Sequence, residues 1–296
     1  MAIINGILLL NKPLGLSSNV ALQKARRLLD AKKAGHAGSL DPLATGMLPL
    51  CFGEATKFCH YLLASDKVYE VEACLGAVTA SGDKESPVVQ QRPVSVTPSQ
   101  LTQVLQAFIG EIEQIPPMFS ALKYQGKPLY AYAREGIELE RQARRVHIYA
   151  LDLLSPLSDN TFRFRVHCSK GTYIRSLVMD VGEALGCGAH VSALHRVWVA
   201  PYQNYPMVTL DQCVLSDLLP VDSAVMTLSR ITLDEQQTDA LIKGQPVRCL
   251  GGPGQVRFYD VLGQFLGVGQ LGVSGEVEKR RLKANVIDEM LVHTCH

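Results

Sequence analysis

The chain has 296 residues, which is enough for one large domain or two with a substantial apolar core. Apolar residues make up 47% and charged residues 19% of the sequence, a globular composition that argues against a disordered or fibrous protein. The 29 basic and 28 acidic side chains give a net charge of +1, which taken alone excludes a bulk polycationic nucleic-acid binder.

No segment of the sequence resembles a targeting signal or a membrane span. The apolar run over residues 7–10 is far shorter than a signal-peptide core, and Asn11 and Lys12 follow it directly. The eight cysteines are scattered without a Cys-x-x-Cys pair, and most of them lie in apolar sequence. We therefore expect a soluble, cytoplasmic protein with reduced thiols.

The N-terminal part of the chain predicts a strand, a helix and a second strand. Residues 6–10 are typical of a short buried strand, and Ser18 is the predicted N-cap of a helix over residues 18–29. The predicted apolar face of this helix consists of Ala21, Leu22, Ala25, Leu28 and Leu29. Alternation over residues 68–75 predicts a strand that turns Tyr69 inward.

The central part predicts a helix, an excursion, two strands and a further helix. A capping box that begins at Thr97 opens the first helix. Residues 111–145 are rich in Pro, Tyr and Arg and predict an irregular, mobile excursion. Strands are predicted over residues 146–154 and 162–168, and a glycine turn then leads into a helix over residues 173–185.

The C-terminal part predicts a linker and a small second domain. Residues 201–220 show little periodicity and predict the linker. Thr232 and Glu235 form a predicted capping box, and glycine-separated strands follow to about Val286. We expect two domains, residues 1–228, including the excursion over residues 111–145, and residues 229–296.

The charges are segregated along the chain. Residues 1–60 carry seven basic and three acidic side chains, whereas residues 61–120 carry three basic and seven acidic ones. Residues 121–175 are basic again, with ten against five, and residues 205–240 are acidic, with one against six. Two basic blocks on one face would bind a polyanion despite the neutral total; solvated faces of ordinary elements are the alternative.

Two familiar site patterns are set aside. Residues 267–272 match the dinucleotide-binding glycine pattern, but they lie in strand-like sequence and open no helix. Cys187 and His190 have the spacing of metal ligands, yet no second pair lies near them in the sequence, so we expect no resident metal. A terminal group would bind metal only adventitiously: His293, Cys295 and His296.

Two segments carry the strongest chemical interest. Asp41 precedes a proline in a glycine-rich loop over residues 35–46, where an ordinary turn or cap residue is the alternative. Arg175 falls in the first turn of a predicted helix, where the helix dipole disfavours a cation by about 0.3–1 kcal/mol unless an anion pairs with it. A carboxylate beside Arg175 would remove this conflict, and Asp41 is a candidate.

Six motifs occur in order along the chain: Asn11-Lys12-Pro13-x-Gly15-x-Ser17-Ser18, the loop over residues 35–46, Phe52-Gly53-Glu54-Ala55-Thr56-Lys57, Lys67-x-Tyr69, Pro117-x-x-Ser120-Ala121-Leu122-Lys123 and Ser169-Lys170-Gly171-Thr172-Tyr173-Ile174-Arg175. Together they resemble the TruB family of tRNA pseudouridine synthases, which act on uridine 55 in the T-loop. The resemblance runs from about Gly6 to Ala200. It implies an α/β fold with a mixed sheet (α+β), the pseudouridine synthase catalytic fold, and a small C-terminal β domain that resembles a PUA module only loosely.

By position, the resemblance implies roles for three catalytic residues. Asp41 matches the aspartate that attacks the target nucleotide, so that uracil detaches from its sugar, rotates and rejoins through C5. Arg175 matches the arginine that keeps this carboxylate ionised. Tyr69 matches the aromatic residue that lies against the target base, and its hydroxyl is a candidate acceptor for the C5 proton.

The resemblance also implies substrate-binding residues. Tyr173 and Leu194 match two further residues of the base pocket, and His36 matches the histidine that fills the gap left by the flipped base. Residues 122–145 correspond to a flexible insertion that closes over the RNA. The basic side chains expected to contact the RNA backbone are Lys123, Lys127, Arg141, Arg144 and Arg145.

The implied protein is a monomeric, cytoplasmic enzyme that binds the T-loop and stem of tRNA without a membrane or an obligatory protein partner. No cofactor is implied, because the isomerisation is redox-neutral. One alternative is a tRNA-binding or folding protein without turnover, which the presence of both Asp41 and Arg175 disfavours. The other is a guide-RNA-dependent relative, which the segment over residues 122–145 disfavours.

Overall fold

The structure, a computed structural model, describes residues 4–283. Its strands are β1 (Gly6–Lys12), β2 (Ala34–His36), β3 (Ala44–Phe52), β4 (Lys67–Leu75), β5 (Ala77–Thr79), β6 (Val88–Gln91), β7 (Gly110–Gln114), β8 (Lys123–Tyr124), β9 (Lys127–Pro128), β10 (Arg144–Ser158), β11 (Thr161–Cys168), β12 (Ala189–Val199), β13 (Ser229–Thr232), β14 (Gly254–Tyr259), β15 (Phe265–Leu271) and β16 (Val277–Leu282). Its helices are α1 (Ser18–Leu28), α2 (Cys59–Leu63), α3 (Pro98–Ala107), α4 (Leu129–Arg134), α5 (Ile174–Ala184) and α6 (Glu235–Ile242).

The centre of the fold is a mixed sheet of eight strands in the order β1-β3-β12-β4-β11-β10-β7, with β2 added beside β3. Neighbouring strands are antiparallel except β3 and β12, which are parallel. The parallel pair sets Arg196 opposite Gly46, and the other edge of β12 sets the same arginine opposite Tyr69. The register therefore brings the strand after the glycine-rich loop and the strand that carries Tyr69 to one arginine.

The larger apolar core lies between one face of this sheet and helices α1, α3 and α5. Strand alternation supplies its sheet side, as the sequence predicts. The alternating buried residues of β4 and β11 that enter this core are Tyr69, Val71, Ala73, Leu75, Phe162, Phe164, Val166 and Cys168. Burying a large apolar side chain contributes about 1.5–3 kcal/mol, so this alternation fixes which face of each strand points inward.

A second sheet, in the order β13-β14-β15-β16, forms the C-terminal part of the described chain. It packs with α6 around a small core of its own and shares another core with the main sheet. In the shared core the rings of Phe58 and Phe265 meet edge to face, with centroids 5.4 Å apart. Nearby, Arg281 Nη1 donates to the carbonyl of Lys57 at 2.9 Å. The C-terminal sheet is therefore docked on the segment that includes α2.

The start of α1 differs from the prediction by one residue. Ser17 is the N-cap, with its hydroxyl accepting from the Val20 amide, and Ser18 is the first helical residue. The Ser18 hydroxyl contacts the backbone of Leu40 instead, because this buried position needs a partner for a polar group. Leu28, expected on the apolar face, is 60% exposed because it lies at the edge of that face in the last turn of the helix.

The excursion over residues 111–145 is more ordered than predicted. Residues 110–114 form β7, an edge strand paired with the start of β10, and α4 lies between them in sequence. Glu111 and Glu113 both lie within 4 Å of the Arg145 guanidinium across this ladder. The prediction of an irregular segment is wrong for β7. An exposed edge strand that carries charged residues lacks the alternation of apolar and polar residues from which a buried strand is predicted.

The segment over residues 201–220 is not a free linker. Val208 exchanges backbone hydrogen bonds with β1 at 2.8 and 2.9 Å, and Leu219 exchanges a second pair with Ile7. The segment thus continues the edge of the main sheet without forming a regular strand. These residues satisfy their backbone polar groups at the edge of the sheet without forming a regular strand. Their sequence therefore shows no alternation of apolar and polar residues, and the contact with β1 could not be predicted from it.

The capping box of α6 lies two residues later than predicted, at Asp234 and Gln237, because Thr232 is paired in the ladder of β13 and β14. Residues 267–272 fall within β15 and open no helix, as predicted. The predicted strands beyond Leu282, to about Val286, lie outside the described residues. No helix within residues 4–283 is long and apolar enough to cross a membrane.

Candidate active site

Asp41 lies in the short loop between β2 and β3. Gly46, at the start of β3, has a φ of +96°, and a Cβ there would collide with the backbone of Arg196. Only glycine permits this approach, because an L side chain would be strained in that conformation and would also clash. The glycine therefore lets β3 pack closely against β12 just after the aspartate.

Buried side chains hold the backbone of this loop. The Ser18 hydroxyl accepts from the Leu40 amide at 2.7 Å and donates to the Leu40 carbonyl at 3.0 Å. Lys12, fully buried, donates from Nζ to the carbonyls of Pro13 at 2.9 Å and Leu16 at 2.6 Å, beside the loop. Burial lowers the pKa of Lys12 to about 8. The aspartate is thus presented by a backbone with little freedom.

Arg175 pairs with Asp41 as the helix-dipole argument predicts. Arg175 Nε lies 2.9 Å from Asp41 Oδ2, and the arginine side chain is 4% exposed whereas the aspartate side chain is 39% exposed. Nη1 donates to the Ser81 carbonyl at 2.8 Å and Nη2 to the Phe119 carbonyl at 2.7 Å. The guanidinium is fixed on three sides, so the carboxylate is held by the arginine and still open to an incoming ligand.

A second carboxylate, Asp83, was not identified from the sequence. Its Oδ2 lies 3.6 Å from Arg175 Nε, and the side chain is 5% exposed. Asp83 Oδ1 accepts from the Ser81 hydroxyl at 2.6 Å and from the Glu85 amide at 3.1 Å. An aspartate in a Ser/Gly-rich turn has an ordinary local explanation, so the sequence carries no signal that singles it out.

The environment of Asp41 opposes its ionisation in part. Burial raises the pKa of the Asp41 carboxyl above its ordinary value of 3.8, and the negative charge of Asp83 raises it further. The charge and hydrogen bond of Arg175 act in the opposite direction. The carboxylate is therefore held in its ionised form chiefly by one arginine.

Tyr69 lies on β4, opposite Arg196 on β12. Its side chain is 7% exposed, and burial raises the pKa of its phenol above 10, while the charge and hydrogen bond of Arg196 lower it. The charge of Asp41 also acts on this phenol. The predicted inward orientation of Tyr69 is confirmed, and the residue lies in the same electrostatic field as the aspartate.

The structure brings Tyr173 and Leu194 to the same region. Tyr173 is the residue before α5, and the Gln114 side chain accepts from its amide at 3.0 Å and donates to its carbonyl at 3.3 Å. Burial raises the pKa of Tyr173, on which the charges of Arg175 and Asp41 both act. Leu194 is buried on β12 opposite Ala44 in the strand after the loop.

His36 ends β2, just before the loop, and is half-buried. Its Nδ1 is buried and has no hydrogen-bond partner within the described part of the chain. Burial and the charge of Arg196 lower the pKa of the ring, so it is neutral at physiological pH. A neutral, partly unsatisfied ring beside the aspartate loop is available for a ligand group.

The basic side chains expected at the RNA backbone do not converge on Asp41. Lys127 pairs with Glu135 at 2.6 Å within the excursion, and Lys123 and Arg144 are exposed. Arg141 has two buried guanidinium nitrogens without hydrogen-bond partners among residues 4–283. Arg144 acts electrostatically on a pocket residue, Tyr173. Arg145 is also exposed, whereas Lys127 and Arg141 are half-buried.

The described residues contain no group of three or more His, Cys, Asp or Glu side chains that could hold a metal ion. His190 is hydrogen-bonded through Nδ1 to the carbonyl of Ala77 at 2.9 Å, an ordinary structural contact. The adventitious terminal group, His293 with Cys295 and His296, lies outside the described residues.

Comparison with known proteins decides the family. The model for the TruB family pseudouridylate synthase N-terminal domain matches residues 26–174. The chain is also 48% identical over 305 residues to tRNA pseudouridine synthase B of Yersinia pestis (strain Pestoides F), covering 96% of this chain and 94% of the relative. The chain belongs to the TruB family of pseudouridylate synthases. It is accordingly an isomerase that acts on RNA.

Two more TruB-family models match the rest of the chain: the tRNA pseudouridylate synthase B C-terminal domain over residues 175–226, and the pseudouridine synthase II TruB C-terminal region over residues 229–282. Another relative is tRNA pseudouridine synthase B of Vibrio parahaemolyticus serotype O3:K6 (strain RIMD 2210633), 48% identical over 299 residues, covering 94% of this chain and 95% of the relative. The resemblance inferred from the six motifs is confirmed.

Solved structures agree on the fold of this TruB-family chain. A Cbf5–Nop10–Gar1 complex matches with a TM-score of 0.72 at 24% identity, covering 96% of this chain and 87% of that chain. An H/ACA ribonucleoprotein bound to a substrate RNA containing 2′-deoxyuridine matches with a TM-score of 0.71 at 23% identity, covering 96% and 87%. The predicted mixed-sheet α/β fold of the pseudouridine synthase type is confirmed.

Proposed function

We propose that this TruB-family enzyme converts uridine 55 in the T-loop of tRNA to pseudouridine, with Asp41 as its nucleophile. The observation that carries the proposal is the pair of Asp41 and Arg175, 2.9 Å apart, in which the arginine is buried and the carboxylate is accessible. The relatives named tRNA pseudouridine synthase B support tRNA as the substrate class.

In the proposed reaction the Asp41 carboxylate attacks the target nucleotide, and Arg175 stabilises the negative charge of this carboxylate before the attack. The bond from N1 of uracil to C1′ breaks, the base rotates, and a bond forms from C5 to C1′. The bond between Asp41 and the nucleotide then breaks, which regenerates the free carboxylate. A proton leaves C5, and N1 gains one. One carbon–nitrogen bond is exchanged for one carbon–carbon bond, so no cofactor takes part.

We propose that four side chains hold the extruded uridine. Tyr69 lies against the base and takes the proton from C5, and Tyr173 and Leu194 bind the face and edge of the base. His36, with its neutral ring, occupies the space that the base leaves in the RNA. Extruding a base costs a few kcal/mol, and a stacked ring offsets part of that cost.

The excursion and the C-terminal sheet are the two parts of the chain proposed to bind RNA outside the pocket. We propose that the segment over residues 122–145 closes over the RNA, and that the five basic residues Lys123, Lys127, Arg141, Arg144 and Arg145 contact its backbone. We also propose the division into a catalytic domain, residues 1–228, and an RNA-binding C-terminal domain, residues 229–296. The enzyme would act in the cytoplasm as a monomer without an obligatory protein partner.

The test is tritium release from tRNA transcripts labelled at C5 of uridine. We expect release from the wild-type chain and from Asp152→Ala, whose side chain is exposed on β10, and no release from Asp41→Ala. A transcript with cytidine at position 55 should release no tritium. Equal release by wild type and Asp41→Ala would contradict the role of Asp41.

The outcome of the same assay also separates the alternatives. Binding of tRNA without release by any variant would identify a tRNA-binding protein without turnover. Release only after addition of a guide RNA would identify a guide-dependent enzyme. Release of tritium from the cytidine-55 transcript would show that the enzyme modifies a uridine at another position.

A further inference from the structure

A second arginine near the site, Arg196, is buried without a carboxylate partner. Its side chain is 1% exposed, and in the described range, residues 4–283, no Asp or Glu oxygen lies within 4 Å of its guanidinium. Arg175, of similar burial, has two such partners. An unpaired buried charge is strongly unfavourable, so we looked for a neighbouring group whose ionised form this cation would stabilise.

Neutral acceptors hold Arg196 in place. Nε donates to the Met47 carbonyl at 2.6 Å, and Nη2 donates to the Gly38 carbonyl at 3.0 Å. These carbonyls lie on either side of Asp41 in the chain, so one guanidinium joins both ends of the loop. Both contacts leave the positive charge uncompensated.

The titratable groups that face this charge come from four strands. They are Lys12 on β1, His36 on β2, Lys67 and Tyr69 on β4 and Cys168 on β11. Asp41, from the loop, acts on Tyr69 as well. The positive charge of Arg196 disfavours the protonated forms of the two lysines and the histidine. Burial raises the pKa of Cys168 to about 12, which keeps this residue a thiol.

Tyr69 is the group in this set whose ionised form is stabilised by the charge of Arg196. It is the cross-strand partner of Arg196, and the arginine lowers the pKa of its phenol through both charge and a hydrogen bond. Burial alone would make the phenol a poorer acid than a tyrosine in water. A phenol can accept a proton from carbon only as its phenolate, so a cation beside it raises the population of the form that reacts.

We propose that Arg196 is a positioning residue that stabilises the phenolate of Tyr69, as Arg175 stabilises the carboxylate of Asp41. The catalytic use of this pair rests on the proposed function. The phenol first loses its proton to solvent. The C5–H bond then breaks, its electrons restore the C5–C6 double bond of the base, the proton passes to the phenolate oxygen, and Arg196 stays a cation throughout.

The test measures the Tyr69 phenol directly and without RNA. The full chain is prepared with 2,3-difluorotyrosine at position 69, whose more acidic phenol titrates nearer to neutral pH, and its midpoint is followed by fluorine NMR. We expect Arg196→Gln to raise the midpoint by about one pH unit, a tenfold smaller phenolate population at a given pH. Arg165→Gln, on the opposite face of the adjacent strand β11, is the matched control and should leave the midpoint unchanged.

An unchanged midpoint in folded Arg196→Gln would overturn the proposal. If that variant does not fold, Arg196→Lys decides, because it keeps a cation but withdraws the guanidinium hydrogen bond. We then expect a midpoint about half a unit above wild type, and a midpoint equal to wild type would overturn the proposal.

A second measurement concerns the catalytic use of the pair. Arg196→Gln should slow tritium release at neutral pH, with the loss shrinking as pH rises, and should cause no further loss in a Tyr69→Phe background. A raised phenol midpoint with normal turnover would overturn the catalytic use of the pair. The proposed tRNA activity fails only if the wild-type chain releases no tritium, so the two failures are distinguishable.

Discussion

Arg175 Nε and Asp41 Oδ2 lie 2.9 Å apart, although the aspartate is in the loop before β3 and the arginine is in the first turn of α5. The contact neutralises a cation at a helix N-terminus and an anion in a partly buried site at the same time. Each residue therefore compensates the charge of the other.

Arg175→Lys should reduce the single-turnover rate by about 100-fold or more and change tRNA affinity less than about threefold. A lysine supplies a point charge but cannot keep Asp41, the Ser81 carbonyl and the Phe119 carbonyl together. Rapid-quench kinetics with tritiated tRNA and filter binding give the two quantities. Equal losses of rate and affinity would instead indicate a general structural role.

Turnover should fall as the pH is lowered through the pKa of Asp41, at a higher pH than for a free aspartate, because burial raises this pKa. Asp83→Asn should shift this acid limb to lower pH, since the negative charge of Asp83 raises the same pKa. Asp152→Asn, exposed on β10, is the control. A limb that does not move in Asp83→Asn would show that Asp83 does not act on Asp41.

Asp41→Asn should unfold at a temperature no lower than wild type at pH 7. The folded-state pKa of the carboxyl is raised above 3.8, so the folded chain binds more protons between these values and loses stability as pH rises through them. Asparagine removes that ionisation, and Arg175 keeps Asp83 as a partner. Calorimetry should find that any advantage of the variant disappears below pH 3.8; a large loss of stability at pH 7 would contradict this account.

His36→Ala should slow modification of folded tRNA by about 10- to 100-fold, because a stacked ring contributes about 1–3 kcal/mol. His36→Phe keeps the ring and should remain within about threefold of wild type. Both variants should act almost normally on a short unstructured RNA, in which no stacked base needs to be extruded. Multiple-turnover assays on the two substrates make the comparison, and a loss by both variants on both substrates would argue against a stacking role.

Phe265→Ala should lower the free energy of unfolding by about 3 kcal/mol, because it opens a cavity against Phe58 in the core shared by the two sheets. Leu262→Ala, in the same hairpin but 90% exposed, is the matched control and should change it by less than about 0.5 kcal/mol. Urea unfolding measures both. Similar small effects would mean that the C-terminal sheet contributes little through this contact.

Local sequence patterns predicted much of the secondary structure. The alternation in β4 and β11 needs only a period of two and one buried face, and the Thr97 capping box needs only neighbours within one turn. Patterns failed where the partner is distant: Ser18 binds Leu40, and Thr232 pairs with Tyr259. In each case a side chain or backbone group that looked like a local cap serves a contact across the fold.

The sequence by itself determined the family, through motifs in a fixed order, and it indicated that an anion must lie beside Arg175, because a helix start repels an unpaired cation. Only the tertiary structure decided which groups fill that role. The placement of α5 beside the sheet brings Arg175 to Asp41 and Asp83, and the antiparallel pairing of β4 with β12 brings Tyr69 to Arg196. Such contacts depend on strand order and register, which arise from the packing of the whole core and leave no mark in the residues next to each aspartate or arginine.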